Sequence, residues 1–355
     1  MRRSLASLFL TISLITLSFP SLAESFKVYM SPSGDDANDG LSLSSPVLTI
    51  YRVQKVLLAH RPEVDVEVHI SPGTYYDQKV AWIYTNGHKI TFTPLGFTNV
   101  RPVFDGNGDT HWFKLDYAKG RHTNLHFRYI KIQNYNTAIS FNGDRDNVAS
   151  GWNGGNSIVG MYFYRIGGLH SLGGASTAAV RLVNSVQNHI TNNHFVSVEN
   201  TDQTASAIHA IYLAHYSSSN FIERNKFVGV NGDPVKVRDA SDENVINDNR
   251  FYSSGHGSYF QDSYCEPHRP ECTKPTPECP SIGNQFRNNE LHGGYYGNVR
   301  VFRILGADDT CGALTEPRLR TSGNTFPSGS SPGDLPPPPE GPYCDPVTGV
   351  CTQIP

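Results

Sequence analysis

The amino-acid sequence predicts an all-β protein whose fold is a right-handed parallel β-helix with an N-terminal capping helix. The first observation is an internal repeat, in which an aliphatic residue is followed three places on by Asn and two places later by Phe. The repeat is clear at 188–195, 220–227 and 244–251, and weaker at 284–291 and 320–326. Its Asn residues stand at 193, 225, 249, 289 and 324, with spacings of 32, 24, 40 and 35 residues. A repeat of this size is typical of one turn of a solenoid.

The composition of each repeat favours a β-solenoid over a helical one. Short apolar alternations are separated by Asn, Gly and Ser, which is the pattern of short strands joined by turns. Runs of helix-forming residues are rare, so helical and leucine-rich repeats fit poorly. Because coils of a β-solenoid stack ~4.8 Å apart, an Asn side chain at a repeated turn can bond to the next coil. We therefore interpret the repeated Asn residues as structural.

One short segment near the start of the domain has helical rather than strand spacing. In residues 49–59, the apolar positions Ile50, Val53, Val56 and Leu57 fall on one helical face, and Thr49 precedes them as a candidate N-cap. A solenoid exposes an unpaired sheet edge at its open end. We expect this helix to cover that edge.

The chain begins with the features of an export signal. Arg2 and Arg3 precede an apolar run over 5–17, and small residues at 21–23 resemble a cleavage site. We predict a signal peptide over residues 1–23, with a short membrane anchor as the alternative, and a secreted or periplasmic mature protein. No later stretch approaches the ~20 apolar residues of a membrane span. The formal net charge is −3 and there is no long basic run, which argues against nucleic acid as a partner.

The mature chain divides into a β-helix domain at 24–326 and a Pro/Gly/Ser-rich tail at 327–355. All six cysteines follow residue 264, and an even number in an exported protein predicts disulfides. Cys344 and Cys351 are the expected pair in the tail. The other four, at 265, 272, 279 and 311, allow three pairings. A zinc site is the rival interpretation, but the spacings lack paired Cys-x-x-Cys units.

Aligning the repeats also aligns the strands upstream of them. Matching Ile190, Ile222 and Ile246 places three strands side by side, at 179–183, 210–214 and 234–238, with a one-residue gap in the first. Alternate residues of a strand face opposite sides. The register predicts an outward column formed by Arg181, Tyr212 and Lys236, which we name the basic column. Arg238 lies in the next outward column, ~7 Å along the strand from Lys236.

Cations on one strand face suit the cleavage of a uronic-acid polymer by β-elimination. A base removes the C5 proton beside the carboxylate, and a cation stabilises the enolate-like charge that develops. Lys236 is the candidate base and Arg238 the candidate neutralising cation. Tyr212 is the alternative base or the acid for the leaving oxygen, and Arg181 and His215 are expected to bind substrate. Neighbouring cations are expected to lower the pKa of the lysine or the tyrosine. The alternative without a function is a solvated strand face, on which Lys236 and Arg238 pair with acidic neighbours.

A family resemblance supports the fold. The stretches at 27–59 and 66–80 resemble the opening of exported right-handed β-helix polysaccharide lyases, which include pectate-lyase-like and alginate-lyase-like members. The resemblance covers about 27–326 and implies Lys and Arg on an outward strand face, often with calcium. We identify no metal ligand set that would make calcium certain. Acidic residues at 35–39 are a candidate calcium site, with a polar turn as the alternative.

A second resemblance competes over 232–260. Gly-Asp followed a coil later by Gly-His-Gly is similar to the pattern of polygalacturonase-type hydrolases, which use clustered Asp residues. It implies Asp202 and Asp233 as carboxylates and His256 as the substrate-side histidine. Pro234 stands where the second Asp of the pair is expected, so this cluster is incomplete.

The remaining candidates belong to substrate binding. Tyr295 and Tyr296, within 293–298, form a candidate platform for sugar rings. His209 and His215 flank one strand, and we interpret them as hydrogen-bonded turn residues rather than as a metal pair. The cysteine-bearing insertion at 262–281 is expected to form one wall of a groove. A non-catalytic glycan-binding or cell-surface β-helix remains an alternative, because this fold hosts both enzymes and binding proteins.

Overall fold

The structure, a computed structural model, describes residues 24–96, 100–265, 272, 277–306, 311–312 and 314–327. The predicted signal peptide at 1–23 and the predicted Cys344–Cys351 pair lie outside these residues. None of the helices in this described part of the chain has the length and hydropathy that a bilayer-spanning helix needs.

The described chain is almost entirely strand, as the short apolar alternations predict. One α-helix, α1 (Ile50–His60), and two 3-10 helices, η1 (Gly168–His170) and η2 (Asp202–Ala207), interrupt the strands. The strands, in chain order, are β1 (Phe26–Met30), β2 (Val66–Ile70), β3 (Gly73–Tyr76), β4 (Val80–Trp82), β5 (Ile90–Pro94), β6 (Pro102–Asp116), β7 (Leu125–Arg128), β8 (Lys131–Asn142), β9 (Asn153–Gly154), β10 (Ser157–Val159), β11 (Tyr162–Ile166), β12 (Ala178–Val183), β13 (Ser185–Val186), β14 (His189–Thr191), β15 (His194–Val198), β16 (His209–Ala214), β17 (Phe221–Glu223), β18 (Lys226–Val230), β19 (Val235–Arg238), β20 (Val245–Asn247), β21 (Arg250–Tyr252), β22 (Ser258–Ser263), β23 (Asn284–Arg287), β24 (Glu290–His292), β25 (Arg300–Leu305) and β26 (Leu319–Ser322).

Two long parallel sheets form the walls of the solenoid. The first has the order β1-β2-β5-β7-β10-β14-β17-β20-β23-β26, so each coil contributes one strand. The second bends through β8, which pairs with β11 at its start and with β12 at its end. We name the two parts arm 1 (β11, β15, β18, β21, β24) and arm 2 (β12, β16, β19, β22, β25). This pairing confirms the parallel β-helix.

The core consists of apolar side chains that stack from coil to coil. Phe163, Phe195, Phe227 and Phe251 form one such stack, with successive ring centroids 4.6–5.1 Å apart. Ile190, Ile222 and Ile246 are in register on the first sheet, as the repeat alignment predicts. Burial of each large side chain stabilises the fold by about 1.5–3 kcal/mol, so the stack distributes stability along the whole solenoid.

The repeated asparagines form hydrogen-bonded ladders inside the turns, which confirms their structural interpretation. Asn225 donates its backbone N–H and its side-chain amide to Oδ1 of Asn249, at 2.8 and 3.0 Å. The same two bonds link Asn193 to Asn225 and Asn249 to Asn289. Each side-chain oxygen thus accepts a backbone N–H group of a turn, which has no partner in a strand.

The helix α1 closes the N-terminal end of the core. Thr49 caps it, because its side chain accepts a hydrogen bond from the Arg52 backbone N–H. The four predicted apolar positions are buried, and the helix packs against β1 and β4. The predicted capping helix is therefore confirmed.

The structure selects one of the three possible pairings for four cysteines. Cys265 pairs with Cys272, and Cys279 pairs with Cys311. The second disulfide joins the insertion after β22 to the segment after β25.

Candidate functional site

The basic column exists in the predicted register on arm 2. Arg181 pairs with Tyr212, and Tyr212 pairs with Lys236, in adjacent parallel strands. The column continues through Gln261 to Arg303. The residues before the column members on β12, β16 and β19 are Val180, Ile211 and Val235, and they point into the core. Because successive side chains of a strand face opposite sides, the column points outward.

The column is more enclosed than the sequence indicates. Tyr212 is 7% exposed and Lys236 is 9% exposed, whereas Arg181 is partly exposed. The expectation of a column open to solvent is therefore wrong for Tyr212 and Lys236. Lys236 Nζ lies 5.3 Å from the centre of the Tyr212 ring, so the two side chains form one contact.

Glu278, which the sequence analysis did not identify, covers Tyr212 and Arg238. Its Oε2 accepts a hydrogen bond from Arg238 Nε at 2.9 Å, and the glutamate is buried. Arg238 also hydrogen-bonds the Tyr212 hydroxyl. Burial by itself would lower the pKa of Arg238, but Tyr212 and Glu278 raise it on balance. Arg238 is therefore committed to two groups of the protein.

The pKa of Tyr212 moves in the opposite direction from the one expected. Burial raises it, and this effect outweighs the lowering by Arg238 and Arg181. The neighbouring cations lower this pKa as expected, but desolvation of the phenolate outweighs them. Tyr212 is protonated at neutral pH and is suited to donate a proton rather than to accept one.

His215 and Asp239 lie at the end of the same strands and meet Glu278. His215 Nδ1 is 2.8 Å from Asp239 Oδ2 and 3.7 Å from Glu278 Oε1. All three residues are buried. His215, predicted to bind substrate, is 5% exposed and faces carboxylates of the protein. The interpretation of His209 as a hydrogen-bonded residue is confirmed, because its Nδ1 is 2.7 Å from the Asp233 carbonyl oxygen.

The candidate hydrolase carboxylate Asp233 has a structural environment. It is fully buried, and its Oδ1 accepts the backbone N–H groups of His256, Gly257 and Ser258. Its Oδ2 accepts from the Ser258 hydroxyl at 3.1 Å and binds Arg303. With so many donors committed to it, this carboxylate holds the loop before β22.

The predicted aromatic platform lies beside the other hydrolase candidates. Tyr296 is 54% exposed, donates to Asp202 at 3.3 Å, and contacts His256 edge-on with ring centroids 5.4 Å apart. Tyr295 is partly buried and donates to Glu199 at 2.6 Å. The structure therefore groups Asp202, His256 and Tyr296 at the start of arm 2 strands, away from Glu278 at their ends.

The acidic turn at 35–39 uses its carboxylates internally. Asp36 Oδ1 accepts the backbone N–H groups of Leu48 and Thr49, which positions the start of α1. Asp35 and Asp39 each accept one backbone N–H two residues on. These contacts are those of a polar turn.

The residues that sequence reasoning missed lack a repeat signal. Glu278 lies in the insertion, whose length has no counterpart in other coils. Gln261 and Arg303 extend the basic column by two coils, but their strands lie upstream of the two weaker repeats. The alternation in β22 and β25 was the only signal for them.

Comparisons with known proteins identify the fold and no family. No family model matches the sequence, and no curated protein matches it. Among solved structures, Escherichia coli YbhC aligns at 11% identity over 89% of this chain and 88% of its own, with a TM-score of 0.53. An alginate lyase from Paenibacillus sp. aligns at 13% identity over 79% of this chain and 94% of its own, with a TM-score of 0.50. The pectate lyase Pel9A aligns at 12% identity and a TM-score of 0.47 over 88% of this chain and 82% of its own. The matches to YbhC and to the alginate lyase indicate a shared architecture only.

Proposed function

We propose that this protein is an exported lyase that cleaves a uronic-acid polysaccharide by β-elimination. The observation that carries the proposal is the register of Arg181, Tyr212 and Lys236 on three adjacent strands of arm 2. Coil spacing of ~4.8 Å makes this column a linear array, which suits a polymer with a carboxylate on each sugar. The two disulfides are in keeping with an oxidising, secreted or periplasmic location.

In the proposed reaction, a base takes the C5 proton and the C5–H electrons form a C4–C5 double bond. The C4–O bond breaks, and the leaving oxygen takes a proton from an acid. The products are one unsaturated uronate end and one ordinary chain end. The step needs no redox partner and no water.

Lys236 and Tyr212 are assigned to the two proton transfers. Lys236 acts as the base, because it is the buried amine of the basic column and lies against the Tyr212 ring. Tyr212, whose pKa is raised by burial, donates the proton to the leaving oxygen. The Arg238 hydrogen bond then stabilises the phenolate that remains. Arg238 thus has a revised role, since Glu278 already occupies its guanidinium.

Arg181 takes the role of neutralising the substrate carboxylate. Its Nε is buried and has no hydrogen-bond partner within the described part of the chain. A buried donor without a partner carries a desolvation cost of about 1–3 kcal/mol, which a bound carboxylate would remove. Tyr296, exposed near the start of the same strands, would stack on a sugar ring.

The test is a panel of alginate, pectate, glucuronan and glycosaminoglycans, followed by ultraviolet absorbance with and without calcium. An alginate lyase shares this fold, so alginate is the first polymer to test. We expect absorbance from the unsaturated product on one polymer of the panel. Lys236→Met should lower kcat at least ~100-fold, in the range of a lost general base.

The chain provides a matched control for Lys236. Lys226, on arm 1, also lies 5.3 Å from a tyrosine ring, that of Tyr252. Lys226→Met should retain wild-type activity and should show the same circular dichroism spectrum as Lys236→Met. Equal losses in both variants would contradict the assignment of the site to arm 2.

Two other functions would give different results in the same panel. Reducing ends without ultraviolet absorbance would identify a hydrolase, for which Asp202, Asp233 and His256 are the candidates. Retardation of a polymer in a gel without any cleavage would identify a glycan-binding protein. The buried, fully bonded Asp233 makes the hydrolase the weaker candidate.

A further inference from the structure

A compact group of three potential metal ligands lies beside the basic column. One atom each from His215, Asp239 and Glu278 falls within 4.8 Å of the others, and all three residues are buried. Asp239 and His215 end adjacent strands of arm 2, and Glu278 reaches them from the insertion. The cluster therefore joins two parts of the fold that are 39 residues apart in sequence, from position 239 to position 278.

One ligand atom of this group is incompletely satisfied. Glu278 Oε1 is buried and accepts no hydrogen bond within the described part of the chain. The groups that face it are Arg145 at 3.5 Å and His215 Nδ1 at 3.7 Å. The Arg145 side chain is 41% exposed, so it can turn to solvent without disturbing the core. A buried carboxylate oxygen with no donor is costly, and a cation would remove that cost.

The other contacts of the cluster hold its ligands in place. Glu278 Oε2 is bound by Arg238, and Asp239 Oδ1 accepts the Cys279 backbone N–H at 3.2 Å. The Cys279–Cys311 disulfide fixes the chain next to Glu278. Such outer contacts orient metal ligands and leave Oε1 and Oδ2 directed at the histidine.

The donor set and its spacing favour a first-row transition metal. Zinc binds His nitrogen at 2.0–2.1 Å and carboxylate oxygen at 2.0–2.2 Å, which puts tetrahedral ligands roughly 3.4 Å apart. Here the His215–Asp239 distance of 2.8 Å has to open slightly, and the wider separations have to close. Calcium prefers six to eight oxygen ligands, so a site with one nitrogen and two carboxylates suits it poorly.

We propose that His215, Asp239 and Glu278 bind one zinc-like divalent cation. The metal replaces the hydrogen between His215 Nδ1 and Asp239, and His215 keeps its proton on Nε2. The fourth ligand is a water molecule or a group of a bound substrate. Bound there, the cation ties the insertion to arm 2 and fixes Glu278, which holds Arg238 and through it Tyr212. This metal-site proposal does not depend on the proposed lyase activity.

The test is equilibrium dialysis of the full disulfide-bonded chain, without a polyhistidine tag, against zinc, manganese or calcium chloride. Bound metal is counted by mass spectrometry. We expect about one equivalent of zinc and less calcium. His215→Ala, Glu278→Gln and Asp239→Asn should each weaken zinc binding at least ~10-fold.

His170→Gln is the matched control, since His170 also lies 2.8 Å from a carboxylate, that of Glu199. It should bind zinc as the wild type does. Zinc should also raise the melting temperature of the wild type and of His170→Gln, but not of Glu278→Gln. Absence of zinc binding to the wild type, a preference for calcium, or equal binding by all variants would overturn the proposal.

Discussion

At the scale of single residues, burial decides the properties of the candidate catalytic groups. Tyr212 lies beside Arg238 and Arg181, yet its pKa is raised because desolvation outweighs both cations. The identity of a residue and its face on a strand can be read from the sequence. The depth of burial cannot, because Glu278 covers this position from an unrepeated insertion. Sequence reasoning consequently found the members of the basic column and missed the net direction of the Tyr212 pKa shift.

The buried carboxyl group of Asp262 makes the free energy of unfolding depend on pH. Asp262 is buried in register with the core residue Val237, and burial raises its pKa to about 7. The folded state therefore binds a proton that the unfolded state releases near pH 4. Burial disfavours the charged form of Asp262. The free energy of unfolding that the protonated form contributes is therefore lost as pH rises from about 4 to about 7.

We expect Asp262→Asn to abolish this loss. Relative to the wild type, the variant should gain free energy of unfolding as pH rises from 4 to 7. The shift from 3.8 to about 7 corresponds to roughly 4 kcal/mol at most. The measurement is guanidinium unfolding at several pH values. A stability difference that is constant across this range would show that Asp262 ionises normally in the folded protein.

At the scale of elements, the asparagine ladders and the apolar stacks keep the coils in register. A one-residue slip would turn every side chain of a strand to the other face. Asn at each turn prevents this, because its oxygen accepts two hydrogen bonds from the coil before it. The register of the basic column therefore depends on a ladder on a different part of the coil.

We expect Asn249→Ala to destabilise the protein by about 3 kcal/mol or more. The change leaves the Asn225 backbone N–H and side-chain amide without their acceptor, and each buried group without a partner costs about 1–3 kcal/mol. Asn247→Ala is the control two residues away, at a partly exposed position. It should cost about 1 kcal/mol or less, as measured by guanidinium unfolding. Similar losses in both variants would mean that the ladder contributes little.

At the scale of the whole molecule, the two ends of the solenoid have different requirements from its middle. Each inner coil satisfies its backbone groups through the coils on either side, but a terminal coil has only one neighbour. Helix α1 covers the N-terminal end with Ile50, Val53, Val56 and Leu57. Without such a cover, the exposed edge would pair with other chains.

We expect Val53→Asp to convert the protein into higher-order species. A charge at this fully buried position would displace α1 and expose the edge strands. Tyr51→Asp is the control on the same helix, because Tyr51 is 52% exposed. Light scattering after gel filtration measures the mass of both variants. An unchanged mass for Val53→Asp, with native circular dichroism, would show that the helix is not needed to protect this end.

Sequence reasoning alone predicted the solenoid, its capping helix and the alignment of Arg181, Tyr212 and Lys236. It could do so because a repeat sets the coil and because alternation along a strand assigns each side chain to a face. The folded chain was needed to show that Tyr212 and Lys236 are enclosed, that Asp233 is structural, and that Glu278 meets Arg238, His215 and Asp239. These contacts come from an insertion and from loops outside the repeat, where no periodic pattern ties sequence position to position in space.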